Sequence, residues 1–374
     1  GPIAIGNIDG DAKLEIVAGT GGVSGGNGKV YAWNHDGSPV SGWPKEMEWN
    51  QKYGMGDPEV YSVVLGNVLG DDRLEVIAGT NNNAAGGGSD SERTANLYVW
   101  KGDGSLLDGF PTWYRTAGIW GMVGIANITG DSYGEVIAGR DERFMHAYTD
   151  SGDHLSGWPV ETFVDPQQGG ESPFMEFTRN APVMGDLDGD GTIETVIAGK
   201  VRGTRAEGRR EVNSGVIVLK PDGRRAPGWE VARLGDGPQL DDSFDPSQAP
   251  ALADLDRDGK LEIIVNMVDG KTRVFRANGE LMWKYDFAGG RILYGSEPVV
   301  GDINNDGKLE VVFGTYSPDG SASNAVGILA LSSSGRLLDG FPLKLTDETS
   351  SAKKGVRAAP TLADFDGDCQ IEIV

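Results

Sequence analysis

One aspartate-rich phrase recurs seven times along the chain, and no other feature constrains the fold as strongly. The closing glutamate of each copy stands at Glu15, Glu75, Glu135, Glu194, Glu262, Glu310 and Glu372, so successive copies are 48 to 68 residues apart. This period is too long for helical solenoid repeats and suits a unit of four β-strands. The copies read GNIDGDAKLEIVAGT from Gly6, GNVLGDDRLEVIAGT from Gly66, ANITGDSYGEVIAGR from Ala126, GDLDGDGTIETVIAG from Gly185, ADLDRDGKLEIIV from Ala253, GDINNDGKLEVVFGT from Gly301 and ADFDGDCQIEIV from Ala363.

Each complete period carries signals for four strands. In the second period, Val60–Leu65 and Leu74–Ala78 are apolar runs on either side of an aspartate-rich turn, and Leu97–Trp100 and Leu106–Phe110 follow. The 58 glycines and 18 prolines of the chain disfavour long helices. We therefore predict an all-β protein, a seven-bladed β-propeller built from four-stranded antiparallel blades.

The propeller is predicted to form one domain over residues 1–374, with repeats that begin near residues 6, 66, 126, 185, 253, 301 and 363. The seventh copy reaches only its second strand at Val374, so the last blade is incomplete in this chain. Because a half-blade leaves unpaired strand edges, we expect that further sequence supplies its other strands or that the two ends meet in an unusual closure, and an eighth blade beyond Val374 is a further alternative.

The charge balance favours cationic partners. The chain has 33 basic and 56 acidic side chains, a formal net charge of −23, which repels nucleic acid and anionic membrane surfaces. No apolar run approaches the roughly 20 residues of a membrane helix. The single cysteine, Cys369, excludes an intramolecular disulfide and a cysteine-rich zinc site. We predict no nucleic-acid partner and no direct membrane insertion.

The repeated phrase has the form D-x-D-x-D-G-x-x-E, in which alternate residues of a tight loop direct oxygens toward one point. Ca²⁺ takes 6–8 oxygen ligands, and the loop offers side chains from positions one, three, five and nine and the backbone carbonyl of position seven. Mg²⁺ and Zn²⁺ fit this oxygen-rich set less well. We predict calcium in several blades, with a structural role.

The copies differ in how completely they match. We expect calcium first in blades four to six, next in blade seven, where Cys369 replaces a glycine, and in blade one. In blades two and three the third position is Leu69 and Thr129, which predicts metal-poor turns. The candidate ligands, with the position-seven carbonyls included, are Asp186, Asp188, Asp190, Thr192 and Glu194; Asp254, Asp256, Asp258, Lys260 and Glu262; Asp302, Asn304, Asp306, Lys308 and Glu310; Asp364, Asp366, Asp368, Gln370 and Glu372; and Asn7, Asp9, Asp11, Lys13 and Glu15.

Aromatic and basic residues gather in the connections that face away from these loops. They could stack on sugar rings, anchor a protein partner or capture an anionic glycan. The alternatives are that the aromatic residues pack between blades or plug the channel, and that the arginines belong to a solvated loop. The candidate ligand-binding residues are Trp49, Tyr53, Trp113, Tyr114, Trp120, Arg205, Arg209 and Tyr294.

A second aromatic set recurs once per period and is predicted to pack blade against blade from the fourth strand: Trp43, Phe110, Trp158, Trp229, Trp283 and Phe341. The three histidines, His35, His146 and His154, have no serine or cysteine motif nearby, and we expect them to be surface or packing residues. No catalytic residue is predicted. Paired carboxylates over the channel leave a carbohydrate-active enzyme as an alternative.

The seven phrases, from GNIDGDAKLE to ADFDGDCQIE, resemble the FG-GAP or VCBS-type repeats of the integrin α-subunit head and of bacterial secreted proteins. The resemblance implies a seven-bladed propeller with calcium in the hairpin between strands one and two. The DG and GWP turns are similar to those of bacterial extracellular members. An extracellular or cell-surface location is therefore expected, with the periplasm as an alternative, and further domains of the same polypeptide are possible partners.

These expectations lead to three functional hypotheses. The first is a calcium-stabilised binding or adhesion module that recognises a glycan or a surface protein. The second is a propeller-fold polysaccharide lyase or other carbohydrate-active enzyme, and the third is an architectural spacer in a larger surface protein.

Overall fold

The computed structural model describes residues 3–21, 27–47, 58–82, 95–114, 119, 121–140, 143–176, 180–203, 211–236, 249–344 and 355–374. The all-β prediction is confirmed. The chain forms two compact units: unit 1 comprises Gly1–Thr162, Phe177–Met184 and Lys220–Arg224, and unit 2 comprises Phe163–Glu176, Gly185–Leu219 and Arg225–Val374.

The described part of unit 1 contains antiparallel sheets of four strands, each built in chain order. The first consists of β1 (Ile3–Gly6), β2 (Glu15–Gly19), β3 (Lys29–Trp33) and β4 (Lys45–Glu46); the second of β5 (Pro58–Gly66), β6 (Glu75–Asn82), β7 (Ala95–Trp100) and β8 (Thr112–Tyr114); and the third of β9 (Gly124–Ala126), β10 (Glu135–Arg140), β11 (Phe144–Tyr148) and β12 (Val160–Glu161).

Unit 2 repeats this meander. Two 3-10 helices, η1 (Pro166–Glu171) and η2 (Ser323–Ala325), accompany the sheets, and no helix in the described part of the chain is suited to span a bilayer. The strands are β13 (Phe174–Glu176), β14 (Val183–Gly185, of which Val183 and Met184 are assigned to unit 1), β15 (Glu194–Arg202), β16 (Glu211–Leu219) and β17 (Arg233–Leu234); β18 (Ala251–Ala253), β19 (Glu262–Met267), β20 (Lys271–Phe275) and β21 (Leu281–Asp286); β22 (Tyr294–Gly295), β23 (Val299–Gly301), β24 (Glu310–Tyr316), β25 (Gly327–Ser332) and β26 (Leu343–Lys344); and β27 (Leu362–Ala363) and β28 (Glu372–Ile373).

The repeated phrase occupies the same place in each sheet. Its closing glutamate opens the second strand and pairs with the last residue of the first strand, as in Gly6↔Glu15, Gly66↔Glu75 and Gly301↔Glu310. The second strand is mainly apolar, and in β10 and β19 every residue is buried, because both faces of these two strands are covered.

Glycine before the loop allows the next sheet to approach closely. A Cβ atom on Gly6 would lie 2.8 Å from Leu74 Cδ1 and 2.9 Å from Leu65 Cδ1. In unit 2 a Cβ atom on Gly185 would lie 3.0 Å from the Cδ1 atoms of Leu252 and Leu261. Leucines of one repeat thus pack on the glycine of the preceding repeat within each unit, as in stacked blades.

The prediction that the periodic aromatic residues pack blade against blade is confirmed for the tryptophans. The indole Nε1 of Trp43 donates to Gly102 O at 2.8 Å, that of Trp158 to Pro221 O at 2.8 Å, and that of Trp229 to Ala277 O at 2.7 Å. Trp283 donates to Ser333 O at 2.8 Å. Each bond reaches the turn before the fourth strand of the following repeat.

The predicted position of the fourth strand is wrong. Within Leu106–Phe110, Leu106 makes only an isolated bridge to Trp100 and Asp108 and Gly109 form a turn, and the strand in that repeat is β8, Thr112–Tyr114. A glycine with positive φ, such as Gly109 at 85°, makes a second turn, and the proline after the aromatic residue has no N–H for the sheet ladder. The fifth repeat has Met282 in place of the glycine before the aromatic residue, and it alone among the six carries that residue, Trp283, within a strand, β21. The closure into seven blades and the single domain over residues 1–374 stay predictions.

Candidate metal centres

The closing glutamate braces the loop in all seven repeats. Its Oε2 atom accepts the backbone N–H of the residue at position two, over 2.7–3.1 Å. The bond is present even in repeats two and three, where Glu75 and Glu135 belong to loops without the metal pattern. This glutamate is predicted as a metal ligand, and the sequence pattern does not predict its bond to the backbone. Its recurrence in the two loops predicted to be metal-poor is the signal for this role.

The first residue of the loop divides the repeats into two types. Repeats four to seven begin with aspartate, and both carboxylate oxygens accept backbone N–H groups; Asp254 Oδ1 accepts from Asp258 at 3.1 Å and Oδ2 from Gly259 at 3.0 Å. Repeats one to three begin with asparagine, and the Asn7 amide donates to Asp11 O at 2.5 Å. We call these Asp-type and Asn-type loops. The Asn-type loops lie in unit 1 and the Asp-type loops in unit 2.

The Asp-type loops share a left-handed backbone at position six, where φ is 85° at Gly191, 86° at Gly259 and 81° at Gly307. Cys369 adopts the same conformation with φ of 68°, and its N–H donates to Asp364 Oδ2 at 3.0 Å, as Gly259 donates to Asp254. The cysteine therefore preserves the loop, although a non-glycine residue there costs about 1–2 kcal/mol. The seventh loop has the Asp-type geometry.

Acidic side chains converge in the first loop, which is Asn-type, and in three Asp-type loops. In each cluster, one carboxylate oxygen from each member lies within 4.8 Å of the others. A donor set made only of oxygens suits a hard cation, and these clusters could hold a metal ion. In repeat six, Asn304 stands where the other Asp-type loops carry a second aspartate. The clusters are Asp9, Asp11 and Glu15; Asp186, Asp188 and Glu194; Asp254, Asp256 and Glu262; and Asp364, Asp366 and Glu372.

The side chain of Glu15 gives an independent indication that the first loop could hold a cation. Its side chain is fully buried, and Oε2 accepts the Ile8 N–H at 2.9 Å. The other oxygen, Oε1, is buried and has no hydrogen-bond partner among the described residues. A buried carboxylate oxygen without a partner is unfavourable, and a cation beside Asp9 and Asp11 would satisfy it.

Burial also shifts the pKa of the closing glutamate in other loops. Burial is the main cause that raises the pKa of Glu262 and of Glu310, and repulsion from the loop aspartates adds to it. Asp256 and Asp258 act on Glu262, and Asp306 and Asp302 act on Glu310. The loops thus hold negative charge that a bound cation would neutralise.

Glu75 allows the bracing role to be tested in a loop without the metal pattern. Burial, more than the nearby Asp71, raises the pKa of the Glu75 carboxyl. The folded carboxyl therefore ionises at higher pH than the unfolded one. Stability falls as pH rises from the ordinary glutamate pKa through the raised value, and it is higher below that window.

We expect Glu75→Ala to lower the free energy of unfolding by about 2–4 kcal/mol, because the N–H groups of Val68 and Leu69 lose their acceptor. Glu75→Gln keeps an acceptor without the charge, so we expect it to match or exceed wild-type stability at about pH 7 and to show a shallower pH dependence. Urea denaturation near pH 5 and near pH 7 measures both effects. The control is Asp72→Ala, an exposed residue of the same loop, with an expected effect within about 0.5 kcal/mol. Equal losses in the alanine and glutamine variants would contradict the bracing role.

The structure changes the status of one predicted ligand-binding residue. Tyr294 is buried, with 1% of its surface exposed, and its ring centroid lies 6.0 Å from that of Tyr316. Pairing of β22 with β24 places it in the core, so the prediction of a binding role for Tyr294 is wrong. Trp113 and Tyr114 lie in β8. Outside the described residues are Trp49, Tyr53, Trp120, Arg205 and Arg209.

One histidine packs inside the third sheet of unit 1, and a second, exposed histidine lies against it. His146 is fully buried, its Nδ1 lies 2.8 Å from His154 Nε2, and its ring stacks on Tyr148. Burial, with smaller contributions from Arg140 and His154, lowers the pKa of His146 to about 2. His146 therefore stays neutral at physiological pH as a packing residue, and His35 is exposed.

Comparisons with known proteins agree with this architecture. Residues 254–313 match the FG-GAP-like repeat, so the predicted resemblance is confirmed for this segment, which runs from the fifth loop into β24. No curated protein matches the chain in sequence. The chain is similar in fold to the exotype rhamnogalacturonan lyase YesX, with 17% identity, a TM-score of 0.54, and coverage of 90% of this chain and 56% of the lyase.

Two further solved structures show the same similarity. A Bacillus licheniformis rhamnogalacturonan lyase has 16% identity and a TM-score of 0.53 over 90% of this chain and 56% of its own. A europium-containing methanol dehydrogenase has 12% identity and a TM-score of 0.51 over 87% of this chain and 68% of its own. The chain thus spans little more than half the length of the two lyases. The likeness is one of fold, and it supports the β-propeller class.

Proposed function

We propose that this chain is a calcium-stabilised propeller module, located outside the cell or on its surface, that binds a glycan or a protein partner. The convergence of carboxylates in the loops between first and second strands carries the proposal. Calcium is the preferred ion because it accepts six to eight oxygens with flexible geometry. Each loop offers oxygen donors from its side chains. In the Asp-type loops these are joined by the backbone carbonyls of Thr192, Lys260, Lys308 and Gln370.

The location and the partner follow from chemistry and from the family. Calcium sites of moderate affinity fill at the high calcium concentrations outside cells. The aromatic residues Trp113, Tyr114 and Trp120 supply flat apolar surfaces of the kind that stack on sugars or anchor a protein. Two proteins of similar fold are rhamnogalacturonan lyases, which makes rhamnogalacturonan the first polysaccharide to test. Further domains of the same polypeptide are alternative partners.

A polysaccharide screen on the chain in calcium separates the candidate functions. We expect saturable binding of at least one polysaccharide without release of products. Unsaturated uronic ends in the reaction mixture would support the lyase alternative, and the absence of any bound glycan or protein would support the spacer.

The double variant Trp113→Ala, Trp120→Ala is expected to weaken that binding at least tenfold, since stacking contributes on the order of 1–3 kcal/mol per aromatic contact. The control is Tyr133→Ala, which removes an exposed aromatic residue from a loop between first and second strands. Loss of binding in the control alone would place the ligand at the wrong face for this proposal.

A further inference from the structure

A guanidinium group lies among the carboxylates of the fifth loop. Arg276, which directly follows β20, places Nη1 2.7 Å from Asp256 Oδ2. The same nitrogen is 3.9 Å from Asp258 Oδ2 and 3.9 Å from Glu262 Oε1. Arg276 therefore approaches three of the five residues that the loop would use to coordinate calcium.

Two of these three carboxylates belong to a cluster that could hold a divalent cation. Oxygens of Asp254, Asp256 and Glu262 lie within 4.8 Å of one another, and Glu262 is buried. Guanidinium carries a fixed positive charge and five N–H donors but no lone pair, so it can pair with these carboxylates but cannot join a metal's ligand shell. The guanidinium and a calcium ion would therefore compete for the negative charge of Asp256.

The arginine is particular to this repeat. The residue that pairs with Ile263 is Phe275, and its counterparts in other repeats are Trp33, Trp100, Tyr148, Leu219 and Leu331. The residues that follow those counterparts are Asn34, Lys101, Thr149, Lys220 and Ser332. Among the aligned positions, arginine occurs only in the fifth repeat, and the sixth repeat carries serine.

The surroundings leave room for the side chain to move. Arg276 borders a cavity of about 260 Å³ that is also lined by Asp188, Asp258, Lys260, Glu262 and Asn278. The side chain of Arg276 is 36% exposed. A guanidinium displaced from Asp256 can therefore remain hydrated at the cavity without disturbing the core.

We propose that Arg276 is a built-in competitor of calcium at the fifth loop. The inference rests on the proposed calcium binding and adds its regulation. At low calcium the guanidinium neutralises the carboxylates of the fifth loop, and at high calcium the ion displaces it. The fifth loop consequently fills at higher calcium concentration than the same loop would without the arginine. The loops of unit 2 would then fill at different calcium concentrations.

Calcium titration calorimetry on wild type and Arg276→Gln tests the competition. We expect Arg276→Gln to raise the affinity of one site about fivefold, because the ion no longer has to break a charge pair. Lys284→Gln is the matched control: it removes a positive charge of unit 2 that pairs with Asp236, outside the fifth loop, and its affinities should stay within about twofold. Arg276→Lys retains the charge and should remain close to wild type.

Thermal unfolding supplies a second measurement. Without calcium, Arg276→Gln should melt below wild type because its carboxylates are less neutralised, and its calcium-induced rise in melting temperature should be larger. If no variant binds calcium, the proposed function fails. If wild type binds calcium and Arg276→Gln binds it equally or more weakly, the competition is refuted while the calcium proposal stands.

Discussion

Excess EDTA is expected to lower the melting temperature of the calcium-loaded protein by about 10 °C or more. A site whose free calcium exceeds the dissociation constant a hundredfold adds about 2.7 kcal/mol to the stability of the folded state. For domains of 150–250 residues, about 1 kcal/mol corresponds to a shift of roughly 2–4 °C. Two filled Asp-type loops would therefore produce the shift. Differential scanning calorimetry with calcium and with EDTA measures it.

A pair of variants at position three of the loop provides the matched control. Asp188→Ala removes a carboxylate from the fourth cluster and should reduce the calcium-dependent part of the shift by about one site, roughly 2.7 kcal/mol under the same conditions. Thr129→Ala changes the same position in the third repeat, an Asn-type loop predicted to be metal-poor, and should leave the calcium-dependent part unchanged. An identical melting temperature in calcium and in EDTA would refute the proposed stabilisation.

Trp229→Ala is expected to lower the free energy of unfolding by about 3–5 kcal/mol. The Trp229 side chain is fully buried, its ring meets Phe275 edge to face at 5.8 Å, and its indole N–H donates to Ala277 O at 2.7 Å. The substitution removes the contact between successive repeats of unit 2 and leaves a large cavity. Urea denaturation measures the loss, and an unchanged m-value would show that the variant still folds to a compact state.

Two further variants separate the packing of Trp229 from its hydrogen bond. Trp229→Phe retains most of the apolar contact and loses the bond to Ala277 O, so we expect a loss of about 1–2 kcal/mol beyond any change in packing. Leu281→Ala removes an exposed aliphatic side chain of the same unit and should stay within about 0.5 kcal/mol. A loss below about 1 kcal/mol for Trp229→Ala would contradict the role of this tryptophan in packing.

Much of the architecture can be predicted from the sequence because the same phrase occurs seven times, so an irregular residue in one copy does not obscure the pattern. The first two strands of each repeat and the loop between them fall where the phrase predicts, and the tryptophans do bridge successive repeats. The fourth strand does not, because Gly109 and Pro111 insert a second turn. Tyr294 is a second exception. It lies in a connection between predicted strands, and the sequence does not indicate the short strand that buries it against Tyr316.

The two loop types also separate what the sequence shows from what only the structure shows. Asparagine or aspartate at the first position is visible in the sequence, but the consequence is geometric, since the Asn7 amide donates to a loop carbonyl and the Asp254 carboxylate accepts two loop N–H groups. The closing glutamate likewise has two oxygens, and only coordinates reveal that one of them already serves a backbone N–H.

The sequence by itself determined the period, the strand order and the oxygen-rich loops, because each depends on residues a few positions apart whose mutual geometry the backbone dictates. Only the tertiary structure decided what meets those oxygens. Arg276 is 20 residues from Asp256 along the chain, and the pairing of β19 with β20 brings the two charges together. Contacts of that kind depend on strand register and on the direction of long side chains, which no local spacing encodes.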